Sequence, residues 1–128
     1  KNSLKTKFFQ SLYFYVNKKS KDFFEKGKLS CAFYVSLILK IIGLIENWHP
    51  TVSSTLKDLK KSGWFKIKKP KFGTIILWEA KNGHYHLGFY LNKKKAISNS
   101  SKFRFPIIHN LKYQGRKILS FYFHKDLE

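Results

Sequence analysis

The sequence predicts an α+β domain in which a buried helix of the N-terminal half packs on an antiparallel sheet built by the C-terminal half. Three observations predict it. Apolar residues recur at helical spacing up to about Gly63 and at strand spacing beyond it. The run Cys31–Leu44 is apolar nearly all round, interrupted only by Ser36 and Lys40, which is the pattern of a helix enclosed by its own protein. From Thr74 onward, short β-branched and aromatic runs alternate with turn residues. A chain of 128 residues with 43% hydrophobic content can fill a core without metal or disulfide staples, so one domain spanning 1–128 is expected.

The elements follow in order. In "SLKTKFFQSLYFYVNKK" (3–19), Leu4, Phe8, Leu12 and Val16 form a helical stripe that Phe9 and Tyr13 widen. Ser30 can cap the next helix and Gly43 lies near its end, giving a buried helix over Cys31–Ile42. "TVSSTLKDLKKSG" (51–63) reads as a short surface helix ending at Gly63. After "KPKFG" the strands "TIILWE" (74–79), "YHLGFYL" (85–91), "AISNS" (96–100) and "KILSFYF" (117–123) form an antiparallel meander.

Cys31 is the single cysteine, so no internal disulfide can form and its place at the first turn of the buried helix becomes the question. Unpaired amides and the positive end of the helix dipole stabilise a thiolate there, lowering the pKa from about 8.5. The same amides can hold a developing oxyanion. Simple packing is the competing explanation, because free cysteine is among the most buried residue types. A base decides between them. Of His49, His84, His86, His109 and His124, the informative pair lies in "GHYHLGFYL" (83–91). His84 and His86 share one face of a strand, and Gly88 leaves room above the strand beside His86. A metal pair at His84 and His86 lacks further cysteines and has few carboxylates nearby, so no metal or organic cofactor is expected.

The ordered set of Cys31 at a buried helix start, Pro70 and Gly73 leading into "TIILW", and "HLGFYL" at 86–91 resembles the NlpC-type papain-like cysteine peptidases and their CHAP relatives. It spans roughly residues 29–100. The resemblance implies a papain-like fold with Cys31 as nucleophile and His86 as base, acting on amide bonds of peptidoglycan peptides. The chain departs from that family in three places. Ser30-Cys31-Ala32-Phe33 stands where Asp-Cys-Ser-Gly is usual, Gly73-Thr74 replaces Gly-Asp, and the third catalytic position, most often histidine, falls on "AISNSS".

That third group must accept the imidazole N–H and hold the ring in its tautomer. Ungapped, the family position is Ser98, while Asn99 beside it offers the better acceptor. If Lys93-Lys94 is a two-residue turn, Gly88 pairs with Asn99 and Asn99 shares the face of His86; a longer loop or a bulge puts Ser98 there instead. The two-residue turn is the expectation, and with it Asn99.

Twenty-six Lys and Arg against seven Asp and Glu give a net charge of +19, which attracts any polyanion. Only Arg104 and Arg116 are arginines, so the residue suited to forked phosphate and base contacts is scarce. Both a selected polyanion surface and the lysine-rich usage of an AT-rich coding sequence account for this. No segment reaches the ~20 apolar residues of a membrane span. The chain opens on Lys1, so an upstream leader or a trim is expected. Trp48 and Trp64 read as core-edge or loop anchors, with the lining of a wall-peptide groove as the alternative. His109, in a loop after "FPII", could border the site but by default reads as a solvated side chain, and His124 near the C-terminus is a weaker candidate still.

The expected activity is a cysteine amidase or peptidase with Cys31, His86 and Asn99 or Ser98, acting on a peptidoglycan peptide or another amide, as a monomer by default. A wall hydrolase would sit in the cell envelope or be secreted. The rivals are a non-catalytic basic binding module contacting nucleic acid or wall polymer, and a thiol acyltransferase or deamidase.

Overall fold

Three helices precede and cover a six-stranded antiparallel sheet in the computed structural model, which describes residues 2–17, 30–100 and 105–128. The helices are α1 (Asn2–Asn17), α2 (Cys31–Ile41) and α3 (Val52–Lys61). The strands are β1 (Phe65–Ile67), β2 (Ile75–Lys81), β3 (His84–Asn92), β4 (Lys95–Asn99), β5 (Pro106–Asn110) and β6 (Ile118–Phe123), ordered β1-β6-β2-β3-β4-β5. A 3₁₀ turn, Lys125–Leu127, follows.

Helix α1 buries Phe8 and Leu12 completely, as its stripe predicts, whereas Phe9 stays half exposed against Tyr13 and Phe72. Lys18 and Lys19 of the predicted helix lie outside the described residues. Helix α2 has the expected ends. The Ser30 hydroxyl accepts from the Phe33 amide at 2.9 Å, and the far end closes by a Schellman motif: Gly43, at φ 78°, donates to Lys40 and Leu44 donates to Leu39. Its polar stripe ties down the following loop. Buried Ser36 accepts from the His49 amide at 2.7 Å and donates to the His49 carbonyl at 3.0 Å, while Lys40 reaches the Glu46 carbonyl. Asp58 of α3 holds the same loop through the amides of Glu46 and Asn47 and the His49 ring.

The sheet carries two layers of core. Ile75, Leu77, Leu87, Phe89 and Ile97 face the helices, while Ile76, Trp78 and Ala96 face the other way against Tyr113. That is why "IILW" is buried at every position. His86, which pairs with Trp78, and Gly88, which pairs with Ile76, belong to this second face.

The sheet departs from the expected meander in three ways. β6 does not continue outward from β5 but inserts between β1 and β2. Three-residue β1 pairs with it at one edge. At the other edge, β5 occupies a stretch that reads as loop because Pro106 opens it; proline is tolerated there, at the first residue of an edge strand.

The β3–β4 hairpin decides what stands beside His86. Lys93 and Lys94 do form a two-residue turn, both at positive φ, with Asn92 opposite Lys95. A register shift between Tyr90 and Asn92 then adds one residue to β3, so Phe89 meets Ile97 and Gly88 comes opposite Ser98. The room above Gly88 is not empty: a Cβ there would lie 2.7 Å from Ser98 Cβ, 2.8 Å from the Ile97 carbonyl and 3.1 Å from the Trp78 ring. Gly88→Ala should therefore lower stability by ~1–3 kcal/mol, the usual cost of overpacking. Urea titration checks this, and an unchanged midpoint would mean that the strands can part without cost.

Candidate active site

The start of α2, residues 50–52, the β2–β3 turn and the loop before β6 enclose a cleft of about 1030 Å³. Cys31, His86 and Asn99 all line it.

Cys31 is placed by its cap. Ser30 both accepts from the Phe33 amide and donates to the Pro50 carbonyl at 2.9 Å, pinning the helix start to the cleft wall. The thiol comes to rest on the backbone of β3, with Sγ 3.8 Å from the Tyr85 carbonyl and the Leu87 amide also directed at it. Those two residues flank His86. Burial pushes the Cys31 thiol up, outweighing the amides of Leu87, Ala32 and Cys31 and the charge of Arg116, which pull it down. The lowered pKa expected from the helix terminus alone is thus overturned.

His86 is buried and clamped. Tyr113 stacks on its ring at 4.0 Å between centroids and 4° between planes, and Trp78 lies 5.3 Å away at a tilt. Burial, then the charges of Arg116 and His109, lower its pKa to about 3, so the ring is neutral near pH 7. Its Nε2 lies 2.8 Å from the Ser98 hydroxyl, and that hydroxyl lies 2.6 Å from His109 Nε2. The expected Asn99 contact is replaced by Ser98, because the extra residue in β3 moves Asn99 to the opposite face of β4. From there Asn99 borders the cleft on the α2 side.

Residues that sequence reasoning missed complete the site. Tyr113-Gln114-Gly115-Arg116 is a tight turn closed by the Arg116 amide donating to the Tyr113 carbonyl at 2.9 Å, with Gln114 and Gly115 at positive φ. The "QG" pair is a readable turn signal. Arg116 crosses to the β2–β3 hairpin, donating to the His84 carbonyl at 2.7 Å and the Glu79 carbonyl at 3.3 Å. His109, expected as a solvated loop side chain, is instead a partly buried member of β5. His84 stays exposed on the rim. Three further side chains are held in structural contacts: His49 binds Asp58 at 2.6 Å, and buried Trp64 donates to the Leu44 carbonyl at 2.8 Å beside the His124 ring, whereas Trp48 is half exposed.

No protein-family model and no curated protein matches this sequence. Among solved structures it is similar to the crystal structure of the NlpC/p60 domain of peptidoglycan hydrolase SagA, with a TM-score of 0.58 and 13% identity over 92% of this chain and 96% of that one. The protein has an NlpC/p60-type fold, as the resemblance in its sequence implies.

The raised thiol and the lowered imidazole predict a neutral resting pair. Because only the thiolate is alkylated, and a raised pKa delays its appearance, the iodoacetamide rate should climb with a midpoint above the ~8.5 of a free cysteine. A plateau already reached near pH 6 would instead reveal a preformed thiolate–imidazolium pair.

Proposed function

We propose that the protein is a cysteine hydrolase that cleaves amide bonds in peptidoglycan peptides, with Cys31 as nucleophile, His86 as general base and acid, and Ser98 as the group that orients His86. The observation that carries this reading is the seat of the Cys31 thiol, on β3 between Tyr85 and Leu87, at a capped helix start in a cleft that His86 shares. The NlpC/p60-type fold, found in a domain of a peptidoglycan hydrolase, supports the substrate class. The cleft lining supports it too: Lys81 and Arg116 line it and no carboxylate does among the described residues, which suits peptides bearing free carboxylates.

With Nε2 engaged by Ser98, His86 has Nδ1 left for the thiol. As Cys31 Sγ forms a bond to the scissile carbonyl carbon, Nδ1 takes the S–H proton and the carbonyl electron pair moves onto oxygen. The Cys31 and Ala32 amides, which are directed at the thiol and which no capping bond among the described residues consumes, hold that oxyanion. Collapse breaks the C–N bond, and the His86 proton passes to the leaving amine. Water then attacks the thioester, giving its proton to Nδ1, and the thiol leaves with that proton restored. Because both partners rest neutral, the proton moves during attack, not before it.

Incubation with purified peptidoglycan, followed by mass spectrometry of the soluble products, tests this directly. The wild type should release peptides with new amino termini, and Cys31→Ala and His86→Ala should each lose turnover by orders of magnitude. Wall binding without cleavage by the wild type would favour a non-catalytic binding module. Within an active enzyme, Ser98→Ala should lower kcat on the order of tenfold or more, while Asn99→Ala, which leaves the His86 contact in place, should do less. The reverse order would return the orienting role to Asn99.

A further inference from the structure

The sheet face behind the cleft carries a chain of contacts that extends beyond Ser98. His86 Nε2 lies 2.8 Å from Ser98 Oγ, Ser98 Oγ lies 2.6 Å from His109 Nε2, and His109 Nδ1 lies 2.6 Å from the Asn110 carbonyl oxygen. We propose that His109 is a positioning residue which, through the single proton of the Ser98 hydroxyl, fixes His86 in the tautomer that carries its proton on Nε2 and leaves Nδ1 as the base.

Hydrogen counting along the chain leads there. The Asn110 carbonyl can only accept, so His109 Nδ1 must be the nitrogen that donates. Burial and the neighbouring Lys95 charge lower the His109 pKa, against the pull of that carbonyl, and the ring is neutral near pH 7. A neutral ring protonated on Nδ1 has a bare Nε2, which must accept from Ser98. The Ser98 hydroxyl has one proton and has now used it. At its other side it can only accept, so the proton between Ser98 and His86 belongs to His86 Nε2. The opposite polarity would set a bare His109 Nδ1 against a carbonyl oxygen at 2.6 Å, two lone pairs face to face.

Packing favours the same arrangement. Trp78 touches both imidazoles, with centroids 5.3 Å from His86 and 5.7 Å from His109, and Tyr113 lies against both at 4.0 and 4.9 Å. Neither ring can turn over without displacing these two side chains. In the reaction, the imidazolium formed on His86 keeps its Nε2–H on Ser98, and the Ser98 proton stays directed at His109, so the polarised chain stabilises the cation without a second proton transfer.

The catalytic consequence rests on the hydrolase reading, whereas the tautomers do not, and the test separates the two. Two-bond ¹H–¹⁵N correlation spectra of the ¹⁵N-labelled wild type near pH 7 should show opposite tautomers, Nε2–H for His86 and Nδ1–H for His109. Nδ1–H on His86, or Nε2–H on His109, overturns the proposal whatever the activity. In His109→Phe, whose folding is checked by its thermal transition, His86 should lose its single tautomer, and kcat on peptidoglycan peptides should fall on the order of tenfold with KM little changed. Should that variant fail to fold, Ser98→Ala should produce the same mixed tautomers and Ser98→Thr, which keeps the hydroxyl, should restore the wild-type spectrum. Retention of pure Nε2–H on His86 in both His109→Phe and Ser98→Ala would show that the ring is set by something else. The expected spectra from a wild type that cleaves nothing would uphold the relay and remove the hydrolase.

Discussion

The close approach of β3 to β4 at Gly88 is the constraint on which the site depends. A glycine opposite Ser98 lets the two strands and the Trp78 ring converge more tightly than any side chain would permit. That convergence brings the Ser98 hydroxyl onto His86 Nε2 and within reach of His109 on the next strand. The same layer receives Tyr113, so one packed cluster on the outer face of the sheet sets the His86 ring plane and occupies its Nε2. The helix side of the sheet has a different task. It carries α2, whose Ser30 cap holds Cys31 against the β3 backbone. Thiol and imidazole therefore reach the cleft from two layers of core that share a single strand.

Burial and charge act on this pair in opposite senses. The helix start and the amides of Ala32 and Leu87 favour a thiolate, but removal from water counts for more and the thiol is held protonated. His86 is subject to the same desolvation, with Arg116 adding repulsion toward a second positive charge. A neutral thiol beside a neutral imidazole is unreactive toward passing electrophiles. In the proposed hydrolysis it would become reactive when a carbonyl enters and offers an oxygen to the amides at the start of α2, because the charge that develops then has a place to go. Arg116 thus belongs to the site in two ways: it lines the cleft, and it discourages a premature imidazolium.

Much of the fold was legible because its signals are local. Ser30 and Gly43 mark the ends of α2, and both work as caps of the kind their chemistry suggests. The alternation in "HYHLGFY" places His86 and Gly88 on one face, and that placement holds. What failed was non-local. The choice between Ser98 and Asn99 turned on one extra residue near Leu91, and a bulge is a property of two paired strands that neither strand's own pattern declares. β5 was hidden by Pro106, which signals a loop unless an edge position is available. The turn at Gln114-Gly115 is readable, but nothing nearby says that Tyr113 will land on His86. The direction of the Cys31 pKa is not legible, because a helix terminus can be seen in sequence, whereas the burial around it cannot.

The central claim, that Cys31 carries the substrate acyl group, is most directly tested by acid-quenching the protein within its first turnovers on peptides released from purified peptidoglycan and measuring its intact mass. A transient mass increase equal to the acyl portion of the peptide is expected, mapped by fragmentation to Cys31, sensitive to hydroxylamine as a thioester must be, and missing in Cys31→Ala. Cleavage that proceeds in Cys31→Ala, or an acyl group mapped to any other residue, would contradict it.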